Sequence, residues 1–177
     1  MLVEVQFASP DLRRLDELSV EACYLPFFRD ERPFRGILGL LDWRMGARLS
    51  RQVIRGRLRG DAGELLLLPA GRFFRFEKLV LAGLGRREDF DTDGYSQACA
   101  RMLQVLSDLR VRTALVALPG RALELIAPED AIDGLLDAMR RAPERLEQEM
   151  LYIAEPGAVQ REMLPLLERE RRRQRAG

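Results

Sequence analysis

Between residues 2 and 8 apolar and polar side chains alternate, with Val3, Val5 and Phe7 set against Glu4 and Gln6. This two-residue period predicts a half-buried strand. Asp11 to Leu18 predicts a short helix. Val20 to Phe28 is apolar apart from Glu21 and runs into the polar stretch Arg29 to Arg32 before Pro33, so it predicts a strand that ends in a surface loop. From Arg35 to Arg57 the apolar residues Ile37, Leu38, Leu41, Met45, Leu49 and Val53 recur at intervals of three and four, interrupted by Gly36, Gly39 and Gly46. Two short helices are expected there.

Glu64 to Pro69, Lys78 to Leu84 and Thr113 to Leu118 are nearly continuous apolar runs, the pattern of strands in the middle of a sheet with both faces covered. The clearest helix is Thr92 to Leu109, with Tyr95, Cys99, Met102, Leu106 and Leu109 on one face. Pro128 to Arg141 repeats the pattern with Ile132, Leu135, Leu136 and Met139, and its proline suits a first helical turn. Met150 to Ala154 predicts a last strand, and Gly157 to Arg173 a final helix that Pro165 is expected to kink or divide. Strands alternating with helices imply an α/β fold of three layers, α/β/α, around a mixed, mostly parallel sheet. Residues 1–155 form the expected domain, and residues 156–177 a C-terminal helix with a basic tail.

Composition adds limits to this picture. A chain of 177 residues suits one domain and, at this size, buries about 70% of its unfolded surface. The net charge of +1 supplies no global field toward nucleic acid or an anionic membrane, so binding of that kind must be local. No stretch approaches the roughly 18 apolar residues of a membrane span, and a cytoplasmic protein is expected. Cys23 and Cys99 are too few for a disulfide framework and read as buried free thiols.

The chain contains no histidine, which removes the commonest general base and the commonest zinc ligand together. Triads of the Ser-His-Asp and Cys-His types are thereby excluded within it. The carboxylate pairs Glu147 with Glu149 and Glu168 with Glu170 lie in charged surroundings that suggest solvated faces. Asp89, Asp91 and Asp93 before Gly94 imitate the start of a calcium loop, but its twelfth position is Ala100 instead of a bidentate glutamate. An acidic helix start with Asp91 or Thr92 as N-cap is the better reading. Gly83-Leu84-Gly85 lacks the third glycine of a dinucleotide loop and reads as a close strand-to-helix turn.

Arg44 to Arg59 is the most distinctive stretch, with six arginines and no acid. Arg44, Arg48, Arg51 and Arg55 fall at helical spacing, opposite Met45, Leu49 and Val53. Such a stripe is able to hold phosphates or an acidic partner by bidentate pairing, the competing reading being a solvated arginine face. Arg169 to Arg175 reads as a fraying, solvated helix end.

The order of elements is specific enough to carry a resemblance. Leu25-Pro26-Phe27 leads through Leu38 to Leu41 and a helix at Leu49 to Gly60, Gly63 and Glu64. Leu65 to Leu68 follows, then Leu79-Val80-Leu81-Ala82-Gly83-Leu84-Gly85, an acidic loop and a helix. From about Val20 to Met150 this resembles the N-terminal domain of the leucyl (cytosol) aminopeptidase family. The resemblance implies a macro-domain-like sheet, and it implies that the family's two-metal peptidase site belongs to a larger C-terminal domain for which this chain has no residues. That family's catalytic signature, Asn-Thr-Asp-Ala-Glu-Gly-Arg, has no counterpart, since the chain contains no asparagine. Lys78, its only lysine, opens a strand of the other domain.

The resulting expectation is a non-catalytic interaction or assembly module with no catalytic residue, metal or cofactor, whose partner is a protein or a second copy, as the family's hexamers imply. One alternative is a nucleic-acid or anion binder that uses Arg44, Arg48, Arg51 and Arg55, in line with the secondary DNA binding of some family members. A third reading is an accessory part of a split metalloaminopeptidase.

Overall fold

The computed structural model describes residues 3–142 and 146–176. Six strands, β1 (Glu4–Ala8), β2 (Ala22–Phe27), β3 (Leu65–Pro69), β4 (Lys78–Gly83), β5 (Thr113–Val116) and β6 (Met150–Ala154), form one sheet in the order β1-β6-β5-β2-β4-β3. All neighbours are parallel except β3, which runs antiparallel to β4 with Leu67 opposite Val80. Helices α1 (Leu12–Glu17), α2 (Gly36–Arg44), α3 (Arg48–Ile54), α4 (Thr92–Asp108), α5 (Pro128–Arg141) and α6 (Gly157–Ala176) complete the chain. The expected α/β/α architecture is present. Leu2, the first residue of the expected opening strand, lies outside the described residues.

Each central strand feeds two cores, because successive side chains point to opposite faces. On one face Tyr24, Val80, Ala82, Val116 and Ile153 meet Cys99, Met102 and Leu106 of α4, Ile132 and Leu135 of α5, and Met163 and Leu167 of α6. On the other, Cys23, Leu25, Leu79, Leu81 and Leu115 meet Leu15 of α1, Ile37, Leu38 and Leu41 of α2, and Leu49 of α3. Two-sided burial is why these strands read as unbroken apolar runs.

The run Leu65 to Pro69 departs from that expectation. β3 is not in the middle of the sheet but at its edge, where only Leu66 and Leu68 pack on the core while Leu65 and Leu67 stay 39% and 51% exposed. A leucine-only strand gives no period, so the sequence pattern does not separate an edge position from a central one.

Pro165 does not divide the last helix, which continues from Gly157 to Ala176 with Met163 and Leu167 buried on either side of it. The tail is also not solvated throughout. Glu170 is buried and accepts from Arg140 Nη1 at 2.8 Å, and Arg171 Nη2 donates to the Val5 carbonyl at 2.6 Å. The reading of Glu168 with Glu170 as a solvated pair is therefore corrected at Glu170. No helix among the described residues is long and apolar enough to cross a membrane.

Candidate functional site

In a mostly parallel α/β sheet the carboxyl ends of the strands are where ligands are received. Here β2 continues past the end of β5: its pairing with β5 stops at Tyr24 opposite Val116, while its pairing with β4 runs to Phe27 opposite Gly83. The Tyr24 carbonyl accepts from Ala117 N at 3.0 Å, on the β5 side, and the Phe27 carbonyl accepts from Leu84 N at 2.9 Å, on the β4 side. By alternation, Pro26 turns its missing N–H toward the side where β5 has already ended. The gap left there is a cleft of about 180 Å³ bordered by Pro26, Phe28, Ala117, Gly120 and Pro156.

The buried polar side chains of this cleft are partnered within the fold. Arg121, only 9% exposed, donates from Nε to Glu155 Oε1 at 3.0 Å and from Nη1 to the Ile126 carbonyl at 2.5 Å. Burial raises the carboxyl of Glu155 above its usual range, and the Arg121 charge opposes that rise. Glu31, also buried, accepts from Phe28 N through Oε2 and from Arg35 N through Oε1, both at 3.1 Å, and so closes the start of α2. Its carboxyl is likewise raised by burial. These three charged residues escaped the sequence reading. The usable signal was position, since Glu155 directly follows the last strand and Glu31 lies just beyond β2.

Nucleophilic chemistry finds no support in the thiols. Cys23 and Cys99 are fully buried, and burial pushes the Cys99 thiol up to about 12 and the Cys23 thiol higher still, so neither is a thiolate at neutral pH. Tyr95 donates its hydroxyl to the Ala131 carbonyl at 2.6 Å and serves to join α4 to α5. Among the described residues, no group of three or more Cys, Asp or Glu is placed to hold a metal ion.

The Gly83-Leu84-Gly85 segment is the close turn expected. A side chain at Gly83 would meet the Asp61 carbonyl oxygen at 2.1 Å, and Gly85 N donates to the Gly60 carbonyl at 2.9 Å. Asp91 caps α4, accepting from Gly94 N at 2.8 Å, as the acidic helix-start reading expects.

The arginine stripe is not one helical face. Gly46 and Ala47, both with positive φ, break the chain between α2 and α3, so Arg44 belongs to one helix and Arg48 and Arg51 to the next, with Arg55 at its C-cap. Arg44 is held by Asp16 at 2.6 and 2.9 Å and lies over the Phe74 ring. Arg48 stacks on Phe73 at 4.9 Å, and Arg51 Nη1 donates to the Gly46 carbonyl at 2.7 Å. Arg48, Arg51 and Arg55 are exposed and, among the described residues, no carboxylate pairs with them. The same segment carries Trp43, 74% exposed, and Ile54, 83% exposed.

Residues 25–139 match the N-terminal domain of the cytosol aminopeptidase family, more than half of the chain. The chain belongs to that family. A probable cytosol aminopeptidase of Thermosynechococcus vestitus is 32% identical over 100 residues, which cover 56% of this chain and 20% of the relative. The chain thus spans about a fifth of the length of such relatives. Among solved structures, a mutant of tomato leucine aminopeptidase aligns with TM-score 0.60 and 13% identity over 92% of this chain and 35% of that one. A Trypanosoma brucei macrodomain in complex with ADP aligns with TM-score 0.68 and 11% identity over 90% of this chain and 67% of that one. At these identities both structures bear on the fold, which is macro-domain-like.

Proposed function

We propose that this N-terminal domain is a cytoplasmic, non-catalytic module that works through protein contact or self-association. One observation carries the reading: of the six large hydrophobic residues exposed among those described, four, Trp43, Ile54, Leu65 and Leu67, fall between α2 and β3. Exposed apolar side chains of this size, Trp43 on α2, Ile54 on α3 and Leu65 and Leu67 on the free edge strand, favour association, whereas the buried polar groups of the strand-end cleft are already satisfied within the fold. Affinity capture with the purified chain, paired with light scattering, tests it. A defined protein partner or a stable oligomer supports the module. A monomer with no specific partner, or peptide cleavage abolished by a point change within this chain, rejects it.

A second reading is favoured by Arg48, Arg51 and Arg55, which pair with no carboxylate among the described residues and leave a local positive surface for nucleic acid or another polyanion. Pairing with phosphates makes such binding fall steeply with salt. Salt-independent or absent binding rejects this reading.

A further inference from the structure

The free edge of the sheet is unusual in what it lacks. Natural edge strands are blunted by charge, proline, bulges, shortness or cover. At the opposite edge, Arg171 reaches over β1 to bond the Val5 carbonyl at 2.6 Å, and β1 itself carries Glu4. β3 reads Leu65-Leu66-Leu67-Leu68-Pro69, with no charge within it and its one such device, the proline, at the last position.

Its backbone has a definite inner and outer set. The Glu64 carbonyl accepts from Gly83 N at 2.8 Å and Ala70 N donates to the Glu77 carbonyl at 2.9 Å, so the even-numbered residues from 64 to 70 bond toward β4. In an antiparallel ladder such bonding alternates along the strand. Residues 65, 67 and 69 therefore aim their backbone groups away from the sheet, and only Pro69 lacks a donor.

We infer that β3 pairs with β3 of a second copy, antiparallel and two-fold about Leu67, joining two six-stranded sheets into one. The inference rests on the module reading above and names the surface it uses. Two features fit a second copy of this chain. Leu67 of each copy exchanges both backbone bonds with its counterpart, and Leu65 N–H meets the Pro69 carbonyl, so the missing proline donor affects only the end of the ladder. Leu65 and Leu67 extend the Val80 and Ala82 face beyond the cover of α4, and in this register Leu67 meets Leu67 of the partner while Leu65 lies opposite its Pro69 and diagonal to its Leu67, which makes a continuous apolar stripe. An isologous two-fold interface of this kind is the commonest closed arrangement.

The test combines mass and amide exchange on the purified chain. The wild type should run at twice the 20.3 kDa chain mass, with the Leu65 and Leu67 amides protected along with those of Leu66 and Leu68. Leu67→Lys should give a folded monomer, with an unchanged far-UV circular dichroism spectrum and a melting temperature independent of concentration, in which only the Leu65 and Leu67 amides lose protection. Leu67→Cys, the sole exposed thiol in a chain whose own cysteines are buried, should cross-link into a dimer under mild oxidation. A wild type that is monomeric, or a dimer in which the Leu65 and Leu67 amides exchange as freely as loop amides, overturns the pairing. A monomer that still captures a defined partner overturns it while leaving the module reading in place. A monomer with no partner removes both.

Discussion

Arg44 grips Asp16 at two points, Nη1 to Oδ1 at 2.6 Å and Nη2 to Oδ2 at 2.9 Å, tying α2 back to α1. The guanidinium holds the Asp16 carboxyl below its usual range. Arg44 is thereby withdrawn from any polyanion surface, which leaves Arg48, Arg51 and Arg55. If the chain binds duplex DNA, Arg44→Gln should leave the salt dependence unchanged. Arg48→Gln with Arg51→Gln should flatten the slope of log affinity against log salt by about 0.9 for each phosphate no longer neutralised. Fluorescence anisotropy across a salt series measures both, and equal effects of all three substitutions would contradict the withdrawal of Arg44.

The ion pair of Arg121 with Glu155 is the second such relationship, and its burial changes the arithmetic. Glu155→Leu strands a buried guanidinium and should cost about 3–5 kcal/mol. Combining it with Arg121→Met should recover most of that loss, because an apolar pair carries no desolvation penalty. Urea unfolding, read as a change of midpoint at constant slope, distinguishes the cases. If the double variant is no better than the single one, the pair acts through more than mutual compensation.

Most of the elements were legible from periodicity, since helices α4 and α5 lie where the three-to-four spacing puts them and strand β1 where the two-residue alternation does. What stayed hidden depends on partners distant in sequence. The edge position of β3 is set by which strands flank it, and four leucines read alike at an edge and at a centre. The loss of Arg44 from the stripe is set by Asp16 of α1, 28 positions earlier. Pro165 is tolerated because tertiary packing of Met163 and Leu167 holds the helix on either side of it. The cleft required three segments to converge, and no local pattern announces Arg121 or Glu155.

Glu31 gives the fold a pH dependence of defined sign. Burial raises its carboxyl above the ordinary value of 4.5, so the folded chain holds this proton more tightly than the unfolded one. The associated stabilisation is fully present below 4.5 and is lost as pH rises through the folded value. Thermal melts of the wild type and Glu31→Gln from acid toward neutrality should show the wild type losing ground to the variant over that window. A difference between the two that does not change with pH would show that Glu31 keeps its ordinary titration.

Helix α3 follows Ala47 as its N-cap, which has positive φ and no capping side chain, and its first amides are served from the preceding helix. Asp42 Oδ1 accepts from Leu49 N at 2.8 Å and from Ser50 N at 3.1 Å. Asp42→Ala should cost about 1–2 kcal/mol, as for a lost cap, and Asp42→Asn much less, since one oxygen serves both amides. Calorimetric melting of the two variants measures the contrast. Equal losses would assign the effect to charge instead of to the shared acceptor.

Two glycines of the chain separate close approach from backbone conformation. A methyl group at Gly83 would lie 2.1 Å from the Asp61 carbonyl oxygen and 2.7 Å from the Gly60 carbonyl carbon. The 60–61 segment has little freedom to retreat, because Gly85 N bonds the Gly60 carbonyl at 2.9 Å and Asp61 is paired with Arg29 at 2.9 Å. At Gly46 the reverse holds: φ is +63 and nothing lies within 4 Å of the added atom. Gly46→Ala should therefore cost only the conformational penalty, about 1–2 kcal/mol, and Ala47 beside it already carries a methyl group at φ +59. Gly83→Ala should exceed that cost clearly or prevent folding, because both obstacles are backbone. Denaturation midpoints of the two variants compare them directly, and a Gly83→Ala chain as stable as Gly46→Ala would mean that the 60–61 loop is free to move away from β4.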